Sequence, residues 1–86
     1  MTPLSPTIEE RTSWYETNGK RYEIKVTTTG ERIIVNIFYR GEKIGGDYSM
    51  TTEVAQDFRT YRGEDPIDAL IEVAQADLDA GEVPGQ

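Results

Sequence analysis

The acid–base side chains open to this sequence are carboxylates, tyrosines and lysines, because its 86 residues include no histidine and no cysteine. That removes imidazole general bases, thiol nucleophiles, disulfides and zinc sites of the Cys/His kind. Paired carboxylate chemistry remains. Glu23 and Asp47 are candidates if a sheet brings them to either side of Asn36. A carboxylate pair works as acid and base only where burial drives the two pKa values apart, and an open sheet face offers no such cleft. No enzyme activity is expected. The carboxylates Asp68, Glu72, Asp77 and Asp79 near the C-terminus lack the spacing of a calcium-binding loop. Gly45-Gly46 has no following lysine or helix start, so it is not a phosphate loop. No metal and no cofactor are expected.

The acids are unevenly placed. The chain has 16 Asp and Glu against 9 Lys and Arg, a formal charge of −7. Glu64, Asp65, Asp68, Glu72, Asp77, Asp79 and Glu82 follow residue 63 with no base among them, so residues 1–63 balance to zero. A field confined to one element has a direction. It repels nucleic acid and membrane surfaces and attracts basic partners. The expected partner is a protein with a basic surface or a second copy of the chain, as monomer or homodimer, without direct nucleic-acid or membrane binding. The longest apolar run is Ile33-Ile34-Val35, too short to span a bilayer. Met1-Thr2-Pro3-Leu4-Ser5-Pro6 does not read as a signal peptide. The lack of cysteine fits a reducing compartment, and a cytoplasmic location is expected.

The elements that must position these residues can be read from turns and periodicity. The length suits one domain, which would bury about 60–65% of its unfolded surface. Residues 1–10, rich in Pro, Ser and Thr, read as a flexible segment, with Thr7-Ile8-Glu9-Glu10 as an alternative capping box. Asn18-Gly19 is a strong hairpin signal, and Thr29-Gly30 and Gly41-Glu42 are two further candidate turns. With two-residue turns, Tyr15 faces Tyr22. Val26 then faces Ile33, Ile24 faces Val35 and Tyr22 faces Ile37. In the third hairpin Tyr39 faces Ile44, Val35 faces Tyr48 and Ile33 faces Met50. All these side chains share one sheet face, which a one-residue slip would scatter. The pattern predicts a four-stranded antiparallel meander over roughly 11–17, 20–28, 31–40 and 43–50.

Two helices follow. Thr51 or Thr52 caps the first, Val54, Phe58 and Tyr61 form its apolar stripe, and Gly63 ends it. Asp65 and Pro66 start the second, Ile67, Leu70, Ile71, Ala74 and Leu78 form its stripe, and Gly81 stops it. Residues 82–86 read as a loose tail. The predicted fold is a two-layer α+β domain over residues 11–81, ββββαα, with both helices on the apolar sheet face.

Two surfaces then carry candidate function. The sheet face away from the helices presents Ile34, Asn36 and Phe38. Lys25, Glu23 and Arg21 lie on one side of them, Ser49, Asp47 and Gly45 on the other, and Trp14 next to Glu23. Exposed aromatics beside arginine favour protein interfaces. The competing reading has the N-terminal segment cover this face with Leu4 or Ile8. On the last helix Asp68, Glu72 and Asp79 fall within about 40° of one another, an acidic stripe. Asp68 and Glu72 repel, and Asp77 and Asp79 oppose the helix dipole at about 0.3–1 kcal/mol each. The bland reading of the stripe is solubility. Ala69, Val73, Ala76 and Ala80 form a small-residue stripe expected to pack against the first helix, with a dimer seam as the alternative.

The order of elements resembles the small type I-F anti-CRISPR inhibitors of bacteriophage. The likeness rests on Glu23-Ile24-Lys25-Val26 to Gly30-Glu31-Arg32-Ile33, on Gly41-Glu42-Lys43-Ile44-Gly45, on Thr52-Glu53 and on the aromatic Phe58, across roughly residues 20–78. The resemblance implies the same sheet-plus-helices layout and a sheet face that caps a host surveillance complex. A tyrosine and a glutamate that act in that family fall by spacing at Thr27 and Phe38, and neither is matched. The expected function is therefore a small acidic non-catalytic protein-binding module, of the kind a mobile element uses as an inhibitor. A self-associating structural subunit, pairing through the open sheet face or an edge strand, and a small-molecule binder are the alternatives. The residues expected at the interface are Trp14, Arg21, Thr27, Ile34, Phe38 and Asp47.

Overall fold

The computed structural model describes residues 9–86. Strands β1 (Glu9–Thr17), β2 (Lys20–Thr28), β3 (Arg32–Tyr39) and β4 (Glu42–Thr51) form one antiparallel sheet in sequence order. Helix α1 (Thr52–Asp57) runs on into a π-helical turn (Phe58–Arg62), and helix α2 (Pro66–Asp79) follows. The fold is α+β, with both helices against one face of an open sheet. Leu4 and the Thr7-Ile8 half of the capping box lie outside the described residues, and Glu9 and Glu10 belong to β1.

The three hairpins differ in how they meet the predicted register. Asn18 (φ 53°) and Gly19 (φ 74°) both take the left-handed conformation that a type I′ turn needs, and Tyr15 pairs with Tyr22 as expected. The second turn is centred on Gly30-Glu31, not Thr29-Gly30. Thr29, β-branched and ill suited to positive φ, accepts the N–H groups of Glu31 and Arg32 on its hydroxyl, each at 3.2 Å. Val26 consequently pairs with Val35 and Ile24 with Ile37, and Tyr22 meets Tyr39 instead, ring centroids 5.2 Å apart. The third turn is Arg40-Gly41 (φ 52° and 83°), so Ile37 rather than Tyr39 opposes Ile44. A bulge then restores the expected pairs Val35–Tyr48 and Ile33–Met50. Each shift is by two residues. Parity survives, and every predicted core side chain stays on the core face.

That face is dry. Tyr22, Ile24, Val26, Ile33, Val35, Ile37 and Ile44 are buried with Ala55 of α1 and Leu70, Ala74 and Leu78 of α2. The Thr51 hydroxyl caps α1 by accepting from the Val54 N–H at 3.3 Å, and the Asp65 carboxylate caps α2 by accepting from the Ile67 N–H at 2.9 Å. Gly63 (φ 65°) closes the π turn. Residues 82–86 correct the reading of a loose tail. Val83 is 5% exposed in the core, and the Gln86 side-chain amide donates to the Leu78 carbonyl at 2.7 Å.

Two destabilisations should follow. Ile37→Ala, which empties a fully buried site, should cost about 2–5 kcal/mol. Val83→Ala should cost about 1–3 kcal/mol, a loss that a free tail would not show. Thermal or urea melts decide both, and a chain lacking residues 83–86 that melts like wild type would remove the tail from the core.

Candidate functional site

Strand alternation places Trp14, Arg21, Thr27, Ile34 and Phe38 on the sheet face opposite the helices, and the bulge keeps Asp47 there with them. Thr27 pairs with Ile34, and Glu23 with Phe38. Trp14, on edge strand β1, is 56% exposed. The Arg21 guanidinium lies 4.5 Å from its ring centroid, and the Lys25 ammonium lies 4.7 Å from that of Phe38. Such pairs lay charge over the aromatic faces and hold the rings in place. Lys25 also reaches Glu23 at 3.5 Å. Across β3, Asp47 accepts from the Asn36 amide at 2.6 Å and from Lys43 at 2.7 Å. Lys43, not Gly45, is the β4 neighbour of Phe38, because of the third turn. Hydrogen bonds from Lys43 and Asn36 hold the Asp47 carboxyl below its ordinary pKa, the reverse of what a general acid needs.

The acidic stripe divides. Asp68 and Glu72 are exposed and, with Glu64, Asp65 and Ala69, line an open depression of about 240 Å³. Asp79 leaves this group. It accepts the Thr17 hydroxyl at 2.6 Å and the Tyr15 hydroxyl at 2.8 Å on both carboxylate oxygens. Its neighbour Asp77 accepts from Tyr48 at 2.7 Å. The two acids at the unfavourable end of the helix dipole thus tie α2 to β1 on one side and β4 on the other, and hydroxyl donors offset the dipole penalty. The Asn18 side-chain amide donates a hydrogen bond to the Leu78 carbonyl at 3.1 Å. Partial burial, then the bond to Asp77, pushes the Tyr48 hydroxyl up to about 12, and the bond to Asp79 raises Tyr15. This clasp is not visible in the one-dimensional pattern, although acids without a nearby base in the last helical turn were a sign that something else answers them.

The helical layer carries a further departure. Only Ala55 of α1 is buried, while Val54 is 44% and Tyr61 81% exposed. The predicted stripe Val54-Phe58-Tyr61 therefore does not face the core. Arg62 stacks 4.8 Å from the centroid of the half-buried Phe58. Val73 is 50% exposed and Ala76 and Ala80 are exposed, so the small-residue stripe of α2 is not covered by the first helix.

Among the described residues no group of three or more acidic, histidine or cysteine side chains is placed to hold a metal ion. Among the described residues, likewise, no helix is long and apolar enough to cross a membrane. The chain matches no protein-family model, no curated protein and no solved structure with which it was compared.

The clasp makes stability depend on pH in a defined direction. Hydrogen bonds from Thr17 and Tyr15 lower the folded pKa of Asp79 below its ordinary 3.8. A depressed carboxylate contributes stability that is fully present above the ordinary value and is lost as pH falls through the folded one. Asp79→Asn should lower the melting temperature near neutral pH, and the variant should lose less than wild type on going from about pH 5 to about pH 2. A melt series across that range checks it. A variant that melts above wild type would mean that the dipole penalty outweighs the clasp.

Proposed function

We propose that this chain is a small acidic, non-catalytic protein-binding module that docks through its open sheet face. Trp14 carries the reading: a large aromatic more than half exposed on a strand, held under Arg21 at the rim of a face that also presents Phe38 and Ile34. Tryptophan and arginine are the residues over-represented among binding hot spots. The face is poorly suited to chemistry. Its carboxylates are engaged by Lys25, Lys43 and Asn36, and among the described residues it is the face of an open sheet. The layout similar to the type I-F anti-CRISPR inhibitors supports an inhibitory role toward a host complex, with a target set by side chains that differ from that family at Thr27 and Phe38. Asp68 and Glu72 would speed encounter with a basic partner without forming the contact itself.

The experiment uses the one tryptophan in the chain. Titration with a type I-F surveillance complex should shift the Trp14 emission as the ring is desolvated. Phe38→Ala should weaken that binding about tenfold or more while costing under about 1.5 kcal/mol of stability. Asp68→Asn with Glu72→Gln should lower the association rate at low salt and leave dissociation unchanged. An unchanged emission, with no inhibition of DNA binding by the complex, removes that complex as the target. A large stability loss from Phe38→Ala would make Phe38 core and remove the docking face itself.

A further inference from the structure

The four-stranded sheet is open, so β1 and β4 each leave one long side without a strand neighbour among the described residues. The two edges differ. β4 has devices that keep an edge strand from pairing with a foreign chain. It is broken by the bulge at Gly45 and Gly46, and the returning chain packs there, with Gly85 over Ile44 and Val83 against Gly45. β1 has none of them. It runs nine residues, Glu9–Thr17, without proline, lysine, glycine or bulge, and pairs with β2 at every residue.

The turn at Asn18-Gly19 decides which backbone groups β1 leaves free. In a two-residue hairpin the flanking pair, Thr17 and Lys20, exchanges hydrogen bonds, and bonded and non-bonded pairs alternate from there. Tyr15, Ser13 and Arg11 are therefore bonded to β2. Glu16, Trp14, Thr12 and Glu10 turn their N–H and C=O groups outward, and among the described residues no backbone partner meets them. That row of donors and acceptors has the spacing of an extended chain. Charge selects the chain. β1 carries three acids and one base. The side of α2 from which Asp79 reaches Tyr15 and Thr17 also carries Asp68 and Glu72, both exposed and without an ion pair among the described residues. With β2 counted, whose bases are Lys20, Arg21 and Lys25 against Glu23, the three elements at this edge hold eight acids and four bases. A second copy would set one acidic edge against another, whereas a basic segment is attracted.

We propose that the outer edge of β1 takes up an extended segment of a partner protein, rich in lysine or arginine, as a fifth strand. Backbone bonds to Glu10, Thr12, Trp14 and Glu16 give the affinity, and the acids of β1 and α2 give the preference for a basic sequence. The edge lies in the plane of the sheet, so strand addition goes beyond the sheet-face reading and stands or falls separately from it.

Amide hydrogen exchange and peptide binding by the full chain test this. The probe is a peptide of alternating lysine and threonine, nine residues long to match β1. In the free protein the amides of Thr12, Trp14 and Glu16 should exchange freely while those of Ser13 and Tyr15 are protected, and the bound probe should slow the first set about tenfold or more. The same peptide N-methylated at every residue keeps the charges and loses the backbone donors, and should bind about tenfold or more weaker. Thr12→Pro, at an outward position of an edge strand where proline is tolerated, should keep the circular dichroism spectrum and weaken the probe to a similar degree. Asp68→Asn with Glu72→Gln should weaken it about two- to fivefold at low salt and have little effect at high salt. The proposal is overturned by outward amides already protected in the free protein, which would mean that the edge is covered by this chain or by a second copy. It is overturned equally by an N-methylated peptide that binds as the probe does, or by a peptide with glutamate in place of lysine that binds as tightly.

Discussion

Gly45 sits where three parts of the chain meet, and the end of the molecule that carries the clasp depends on its backbone. It adopts φ 68°, and a Cβ there would lie 2.8 Å from a Val83 methyl carbon. The conformation belongs to the bulge. One residue, Asn36, separates Val35 from Ile37 on β3, while Gly45, Gly46 and Asp47 separate their partners Ile44 and Tyr48 on β4. The two extra residues reconcile a turn at Arg40-Gly41 with the pairing farther along the strand. They also take side-chain bulk away from the sheet where the chain returns after α2. Val83 fills that space, and Gly85 packs over Ile44 close enough that its own Cβ would lie 3.2 Å from the Ile44 side chain. A side chain at position 45 would face both a strained φ and a steric conflict with the core.

The same end of the sheet explains why so acidic a helix is tolerated. Seven carboxylates with no base among them should favour an expanded terminus through mutual repulsion. Two of the seven are instead acceptors for Tyr15, Thr17 and Tyr48 on strands that flank the helix. Neutral hydroxyls satisfy the acids without neutralising them, so α2 is anchored and the field is kept. Arginines in those places would anchor the helix equally well and cancel the charge asymmetry that the proposed encounter with a basic partner uses.

Much of this was legible because a strand has a period of two. Turn positions were misread by one residue at Thr29-Gly30 and Gly41-Glu42, yet each error moved the register by two, and Trp14, Arg21, Thr27, Ile34, Phe38 and Asp47 still fell on one face. Helix boundaries were legible from local chemistry: the Thr51 and Asp65 caps, Pro66 and Gly63 act within a few residues of themselves. The larger misses are tertiary. Whether Val54 and Tyr61 face the core depends on how α1 enters from β4, where the Thr52 N–H donates to the Glu31 carbonyl at 3.0 Å and fixes the start of the helix against the second turn. The tail and the Asp79 clasp depend on groups more than 35 residues away in sequence or across a bulge. The π turn has no composition signal, since its residues Phe-Arg-Thr-Tyr-Arg would suit an ordinary α-helix.

A sheet only one layer deep over its helices poses a solubility problem that the open face addresses with cations. Trp14 and Phe38 would form an apolar patch if bare, and such patches on a small domain promote indiscriminate association. Arg21 and Lys25 lie over the rings, Glu23 holds Lys25, and Asp47 holds Lys43 beside Phe38. Each ring is therefore covered in part by charge, with Trp14 still 56% exposed. The proposed docking would have to move or share those cations. A partner that offers carboxylates or carbonyls to Arg21 and Lys25 compensates for their displacement, and a merely hydrophobic surface does not. Tyr61 on the other side has no such cover, at 81% exposure. The two faces thus differ in kind. The sheet face carries cations over its aromatic rings, whereas the helical face exposes Val54 and Tyr61 among the acids Glu53 and Asp57 and the bases Arg59 and Arg62.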